Sequence, residues 1–189
     1  MDFIHEEYLD DLSICDKLIE YHKNGHQQIG TLSYGKNSIF NPNIKDSIDV
    51  AFQYTKNEKL YSEYIQLLGK IVKNYIDKFP YCNIGDAWEI VENINIQYYK
   101  PGGGFKVWHS ERLSKLPPAS ERHLAFMTYL NDVTDQGGTE FYHQKYITQA
   151  RKGLTLIWPV DWTHTHRGVV SPTQEKYIIT GWFSFIDKK

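Results

Sequence analysis

From Ala87 onward, strand-length segments follow one another at close spacing, each cut off by a glycine or proline turn. The candidate strands are Glu89–Tyr99, Lys106–His109, His123–Leu130, Glu140–Tyr142, Tyr146–Gln149, Leu154–Trp158 and Tyr177–Ile186. The breaks between them are Pro101-Gly102-Gly103-Gly104, Pro117-Pro118, Gln136-Gly137-Gly138 and Lys152-Gly153. So many short strands argue for an antiparallel jelly roll or barrel, architectures that keep strand edges short or closed.

The first part of the chain has a different texture. Ile4, Tyr8, Leu12, Cys15, Leu18, Ile19 and His22 recur at helical spacing, and Gly25 is an end signal. A stronger helical pattern follows in Leu60, Tyr64, Leu67, Leu68, Ile71, Val72, Tyr75, Ile76 and Phe79, where Pro80 stops it. Between them lie a polar loop, Gly30–Asn43, and a short strand, Ile48–Tyr54. Both helices are amphipathic and need a sheet or another helix to cover. The expected class is α+β, mainly β, within one domain over 1–189. Residues 1–86 form a helical support region, and 87–189 form the strand-rich core.

A formal net charge of -2 gives no electrostatic case for nucleic acid or a membrane surface as the main partner. Cys15 and Cys82 match no metal or redox spacing, which favours a reducing compartment. The acidic, charge-broken segment Met1 to Asp11 has no signal-peptide pattern, and the longest apolar stretch, Leu154 to Val160, is too short to span a bilayer. A cytoplasmic protein is expected.

Chemistry concentrates in His109-Ser110-Glu111, in the segment Thr163-His164-Thr165-His166-Arg167-Gly168, and at Lys176. In extended chain, residues i and i+2 point to one side, so His109 and Glu111 can present an imidazole and a carboxylate to one point. A second histidine from a distant strand would complete a two-His, one-carboxylate facial triad, a set suited to non-haem Fe(II) oxygenases. Alone this signal is weak in a chain with 8 histidines. Parity does not choose between His164 and His166, since both can face inward.

The order of motifs is far more specific. It runs Tyr99-Lys100-Pro101-Gly102-Gly103-Gly104-Phe105, His109-Ser110-Glu111, Tyr129-Leu130-Asn131, Gly137-Gly138-Thr139-Glu140-Phe141, His166-Arg167-Gly168, Lys176-Tyr177 and Gly181-Trp182. This series, from about Glu89 to the C-terminus, resembles the prolyl 4-hydroxylase-like branch of the 2-oxoglutarate/Fe(II) oxygenases. The resemblance implies a double-stranded β-helix, or jelly roll, with the N-terminal helices as support. It implies His109, Glu111 and His166 as iron ligands, with His166 preferred over His164 by the family spacing to Lys176. Lys176 matches the residue that pairs with the distal carboxylate of 2-oxoglutarate, and a buried dianion does need a fixed cation. Tyr99 and Tyr129 match tyrosines that help hold that cosubstrate, and Trp182 matches an aromatic near the iron. Glu111 stands where the family usually has Asp, with unchanged donor chemistry. The retained carboxylate argues against a halogenase. The Gly-Gly-Thr segment is one residue shorter than is usual in the family.

The implied reaction is hydroxylation of a prolyl or other amino-acid side chain, coupled to conversion of 2-oxoglutarate to succinate and CO2. The implied cofactors are Fe(II) and 2-oxoglutarate, with ascorbate left open. The substrate would be a peptide, a protein or a small amino-acid-like molecule. A catalytically silent jelly-roll binding module is the competing class. His164, Arg122 and Trp108 are candidates for contact with substrate or for supporting the ligands. Trp108 and Trp162 are expected to wall the site, and Arg112 to Ser120 to form a lid loop. His123 reads as a packed histidine, Arg167 stays undecided, and His5, His22, His26 and His143 read as surface or helix-edge residues.

Overall fold

In the computed structural model residues 2–34 and 37–187 are described. The first part contains β1 (His5–Tyr8), α1 (Ser13–Asn24), β2 (Gln28–Ile29), β3 (Leu32–Tyr34), β4 (Asn37–Ile39), β5 (Lys45–Asp46), β6 (Ile48–Phe52) and α2 (Glu58–Lys78). The second contains β7 (Trp88–Glu89), β8 (Ile94–Tyr99), β9 (Gly104–Phe105), β10 (Arg122–Tyr129) and β11 (Thr139–Phe141). It ends with β12 (Tyr146–Ile147), β13 (Leu154–Pro159), β14 (His166–Gly168) and β15 (Lys176–Phe185).

Antiparallel pairing orders the large sheet β1-β13-β10-β15-β8-β6-β2, with β7 also on β15. A smaller sheet runs β12-β11-β14, and β5 pairs with β9. Together they make the jelly roll expected from the strand pattern.

Each face of the large sheet has its own core. Along β10, Leu124 and Phe126 pack with Tyr64, Leu68 and Ile71 of α2, while Ala125, Met127 and Tyr129 turn inward to Phe141, Leu156 and Trp158. That double burial is why β10 reads as an unbroken apolar run, although its side chains alternate in direction. Each fully buried large side chain here contributes roughly 1.5–3 kcal/mol.

Helix α2 starts where the Asn57 side chain accepts from the Leu60 N–H at 3.1 Å. It ends just ahead of Pro80. Tyr64 reaches through the apolar layer to hydrogen-bond Thr128 at 3.1 Å, and Thr128 bonds Thr155 at 2.7 Å. This buried hydroxyl chain fixes α2 against the middle of the sheet.

Four expectations need correction. The first helix does not reach back to Ile4, because residues 5–8 form β1 and pair with β13. The first 86 residues therefore supply strands β1, β2 and β6 to the large sheet as well as helices. The Gly30–Asn43 loop carries the β3–β4 hairpin, and its residues 35 and 36 lie outside the described residues. Lys106–His109 forms no ladder, and the strand here is the shorter β9. His22 is not a surface residue: it is buried, and its Nε2 donates to Ile48 O at 2.9 Å. Cys15 and Cys82 are both free thiols. Among the described residues no helix is long and apolar enough to cross a membrane.

Candidate metal centre

His109 and His166 meet across one antiparallel bridge. The His109 N–H donates to His166 O at 3.0 Å, and the His166 N–H donates to His109 O at 2.8 Å. Residues paired this way project their side chains to the same face. Glu111, two residues beyond His109, returns to that face and is tied by its N–H to Val160 O at 3.1 Å. Glu111 Oε1 then lies 3.6 Å from His109 Nε2 and 3.3 Å from His166 Nε2. All three candidate ligand atoms fall within 4.8 Å of one another.

Hydrogen bonding to the other ring nitrogens decides what these atoms offer. His109 Nδ1 lies 3.0 Å from Val107 O, and His166 Nδ1 lies 2.9 Å from His164 O. A carbonyl can only accept, so each Nδ1 carries the proton and each neutral imidazole turns a lone pair inward at Nε2. Two lone pairs and a carboxylate oxygen thus converge on one point, where a cation between them relieves the repulsion. Two imidazoles and one carboxylate with open positions fit Fe(II). Phe105 stacks on His109 at 3.7 Å between centroids, and Trp158 and Phe141 pack around His166.

The second carboxylate oxygen is held separately. Trp182 Nε1 donates to Glu111 Oε2 at 2.9 Å. The Arg122 guanidinium lies 3.7 Å from the Trp182 ring, forms a two-pronged pair with Glu92 at 2.7 and 2.6 Å, and donates to Glu111 O at 2.9 Å. Burial opposes ionisation of Glu111, yet when the imidazoles carry a second proton at Nε2 their hydrogen bonds and charge outweigh it and hold the carboxyl well below its usual range. Burial is the main cause that lowers the pKa of His166, and it favours the neutral imidazole.

A second feature lies further along the same strands. Lys176, on β15 opposite Tyr99 of β8, is 5% exposed, and its Nζ donates to Gly137 O at 2.8 Å. Burial alone pulls its pKa down to about 8, and no carboxylate pairs with it among the described residues. Gly168 shares the inward parity of His166 on β14. A Cβ there would sit 3.9 Å from Lys176 Nζ and 3.3 Å from Phe105 O. The bare glycine lets the Phe105 backbone come close beside the ammonium, and a buried cation with no carboxylate partner fits a dianionic ligand.

Residues 94–184 match the family described as 2OG-Fe(II) oxygenase superfamily. That stretch contains the converging trio, Lys176 and Trp182 in the order the sequence motifs require. The matched stretch, just under half of the chain, is similar to the 2OG-Fe(II) oxygenase superfamily. This oxygenase is a dioxygenase that uses Fe(II) and 2-oxoglutarate.

Its fold is that of several solved prolyl hydroxylases. A prolyl hydroxylase from Trichoplax adhaerens, in complex with a hypoxia inducible factor oxygen degradation domain peptide, is 15% identical. That likeness covers 98% of this chain and 84% of the other, with a TM-score of 0.74. A prolyl-4-hydroxylase from Pseudomonas putida is 14% identical over 97% of this chain and 94% of the other, with a TM-score of 0.73. The viral collagen prolyl hydroxylase of Paramecium Bursaria Chlorella virus-1, in its 2OG complex, is 16% identical over 97% of both chains, with a TM-score of 0.65. Among curated proteins no significant sequence match is found.

The other candidate residues of this oxygenase have distinct positions. His164 keeps its imidazole away from the centre, with Nε2 donating to Asp2 O at 2.7 Å and Nδ1 paired with the Thr163 hydroxyl at 3.0 Å. Its backbone carbonyl, not its ring, orients His166. Tyr129 bonds Thr139 and Thr148 at 2.8 and 2.7 Å. The Tyr99 hydroxyl donates to Gln97 Oε1 at 2.6 Å, and its ring lies 5.2 Å from Lys176 Nζ. Trp108 lies under the Arg167 guanidinium at 4.4 Å. Arg167 also pairs with Glu140 at 2.8 Å. Trp162 does not wall the site: it is 66% exposed. His123 donates to Cys82 O at 2.8 Å, the packed role expected of it. Sequence reasoning missed Phe105, Glu92 and Gly168 as parts of the site. Phe105 stood inside a quoted motif, whereas Glu92 carried no local signal.

Proposed function

We propose that this oxygenase hydroxylates a prolyl or other amino-acid side chain in a peptide or protein, with His109 Nε2, Glu111 Oε1 and His166 Nε2 holding the iron. The observation that carries the reading is the convergence of three lone-pair atoms beside an unpaired, buried Lys176. Lys176 takes the distal carboxylate of 2-oxoglutarate. The Tyr129 hydroxyl, hydrogen-bonded to the Thr139 and Thr148 hydroxyls, is held as a second polar group for the same carboxylate. Tyr99 packs its ring against the lysine. Fe(II), Glu111, the cosubstrate dianion and Lys176 together sum to neutrality, which suits a closed site.

When bound, Fe(II) and 2-oxoglutarate would let O2 convert a substrate C–H to C–OH, one oxygen atom entering the hydroxyl and the other entering succinate as CO2 leaves. The chain's residues bind, orient and exclude water. Trp182 and Arg122 fix the carboxylate, and Trp108 stands at the substrate side. The solved structures named above are prolyl hydroxylases, and one holds a peptide. These support a peptide substrate. Two free cysteines favour a reducing, cytoplasmic setting.

The test is a panel of proline-containing peptides and free amino acids, scored by added oxygen mass with Fe(II) and 2-oxoglutarate. Oxygen added to a prolyl peptide, and lost in His166→Ala, is the expected result. Full turnover in His166→Ala would overturn the ligand assignment. A catalytically silent module, the reading that Glu111 in place of Asp favours, would show no oxygen uptake linked to the cosubstrate.

A further inference from the structure

Two tryptophans flank the metal centre on the inner face of the large sheet. Trp158 of β13 and Trp182 of β15 are both register partners of Ala125 on β10. Directly paired residues of neighbouring strands project to one side, so the two indoles stand on either side of a single methyl group. Each reaches one of the candidate ligands. Trp182 Nε1 donates to Glu111 Oε2 at 2.9 Å. The Trp158 ring meets the His166 ring nearly edge-on, at 5.1 Å between centroids and 78°.

The two indole N–H groups differ in one respect. That of Trp182 has a carboxylate acceptor, whereas that of Trp158 is buried without a hydrogen-bond partner among the described residues. Trp158 is 2% exposed, so bulk water does not serve it. An indole N–H only donates, so the partner it lacks is an acceptor. A buried donor left unpaired is costly, and native structures hold few of them. The Trp88 indole is unpaired too, but it packs against His123 and Phe183 in the core shared with the helices. Trp158, by contrast, touches a candidate ligand.

We propose that the Trp158 indole N–H is a further cosubstrate-binding group, which donates to an oxygen of the α-keto acid end of 2-oxoglutarate. The inference rests on the ligand trio proposed above and adds a residue that faces what the trio would hold. The α-keto acid end is the one that meets the metal, and its polar atoms are all oxygen acceptors, as an orphan donor requires. Lys176 belongs to the other end of the same inner face, six residues before Trp182 on β15. A molecule with a carboxylate at each end thus meets a different donor at each. The Phe141 ring also packs edge-on against Trp158, at 5.6 Å and 81°, and an indole N–H can point at a ring face. That contact is weak beside a hydrogen bond to a carboxylate.

The experiment uses the full chain, isotope-labelled at the nitrogens of its 5 indoles, with Zn(II) in place of Fe(II) as a diamagnetic probe. The indole N–H signal missing from Trp158→Phe identifies the group by nuclear magnetic resonance. If that variant does not fold, phenylalanine variants of the other tryptophans assign the signal by elimination. Adding 2-oxoglutarate should move it downfield. Pyruvate, which has the keto acid end alone, should move it likewise, and butyrate, which has the distal carboxylate alone, should leave it in place. By calorimetry Trp158→Phe should bind 2-oxoglutarate about tenfold more weakly, the scale of one hydrogen bond to a charged group, and Zn(II) as tightly as wild type. A Trp158 signal unmoved by bound 2-oxoglutarate, or an unchanged affinity in the variant, overturns the proposal and leaves the Phe141 ring as the acceptor. A wild type that binds Zn(II) and 2-oxoglutarate with a static Trp158 signal breaks the proposal alone. A wild type that binds neither breaks the ligand reading, and the proposal falls with it.

Discussion

The indole N–H of Trp182 donates to Glu111 Oε2 at 2.9 Å, which leaves Oε1 alone facing His109 and His166. Trp182 is itself fixed by its place on β15, opposite Ala125 of β10. Glutamate has one more rotatable bond than aspartate, so an anchor on the far oxygen offsets the freedom that the longer side chain adds. Trp182→Phe keeps a ring beside Arg122 and removes the donor. It is expected to weaken metal binding by about 10–100-fold, the usual scale for loss of a partner that orients a ligand. A Mn(II) or Fe(II) titration checks this, with circular dichroism to verify the fold. Unchanged affinity would show that the indole bond does not orient the carboxylate.

The two neighbouring histidines should separate cleanly. His166→Ala removes a lone pair from the centre and should abolish iron binding. His164→Ala leaves the carbonyl that orients His166 in place, and removes only the bonds to Asp2 and Thr163. It is expected to keep metal binding and to cost about 1–2 kcal/mol of stability. Paired metal and denaturant titrations test both variants.

Lys176 gives the site a pH dependence with a defined sign. Burial lowers its pKa from 10.5 to about 8, so the folded protein releases this proton more readily than the unfolded chain. The burden of the buried charge is present below about pH 8 and is relieved between about 8 and 10.5, where this group makes the free protein more stable as pH rises. The cosubstrate needs the charged form. Its affinity should therefore fall as pH rises through about 8, by about tenfold per unit beyond it. Lys176→Gln should bind 2-oxoglutarate weakly, with a flat profile. A calorimetric titration series across this range would reveal either pattern.

Gly168→Ala probes the close packing beside Lys176. The added methyl would meet Phe105 O at 3.3 Å and approach Lys176 Nζ at 3.9 Å. The KM for 2-oxoglutarate should rise about tenfold, while metal binding to the trio is retained. Steady-state kinetics and a metal titration on one preparation test both halves.

The strand-rich core was legible because its turns carry glycine and proline at fixed places, and α2 was legible because its buried face repeats for five turns. β1 was not: Ile4, Tyr8 and Leu12 also fit a helical period, and only pairing with the distant β13 makes these residues a strand. In the site, His109 and Glu111 followed from i, i+2 parity. Parity could not choose between His164 and His166, because the deciding fact is a backbone bridge between distant segments. The same holds for Glu92 with Arg122 and for Gly168 beside Lys176. Each depends on the register of separate elements, which no local pattern records.

Iron content and succinate formation in the full chain, compared with His109→Ala, Glu111→Ala and His166→Ala, test the central assignment most directly. Wild type should hold stoichiometric Fe(II) and release succinate, and each variant should lose both. Stoichiometric iron with full succinate formation in any of the three would contradict it.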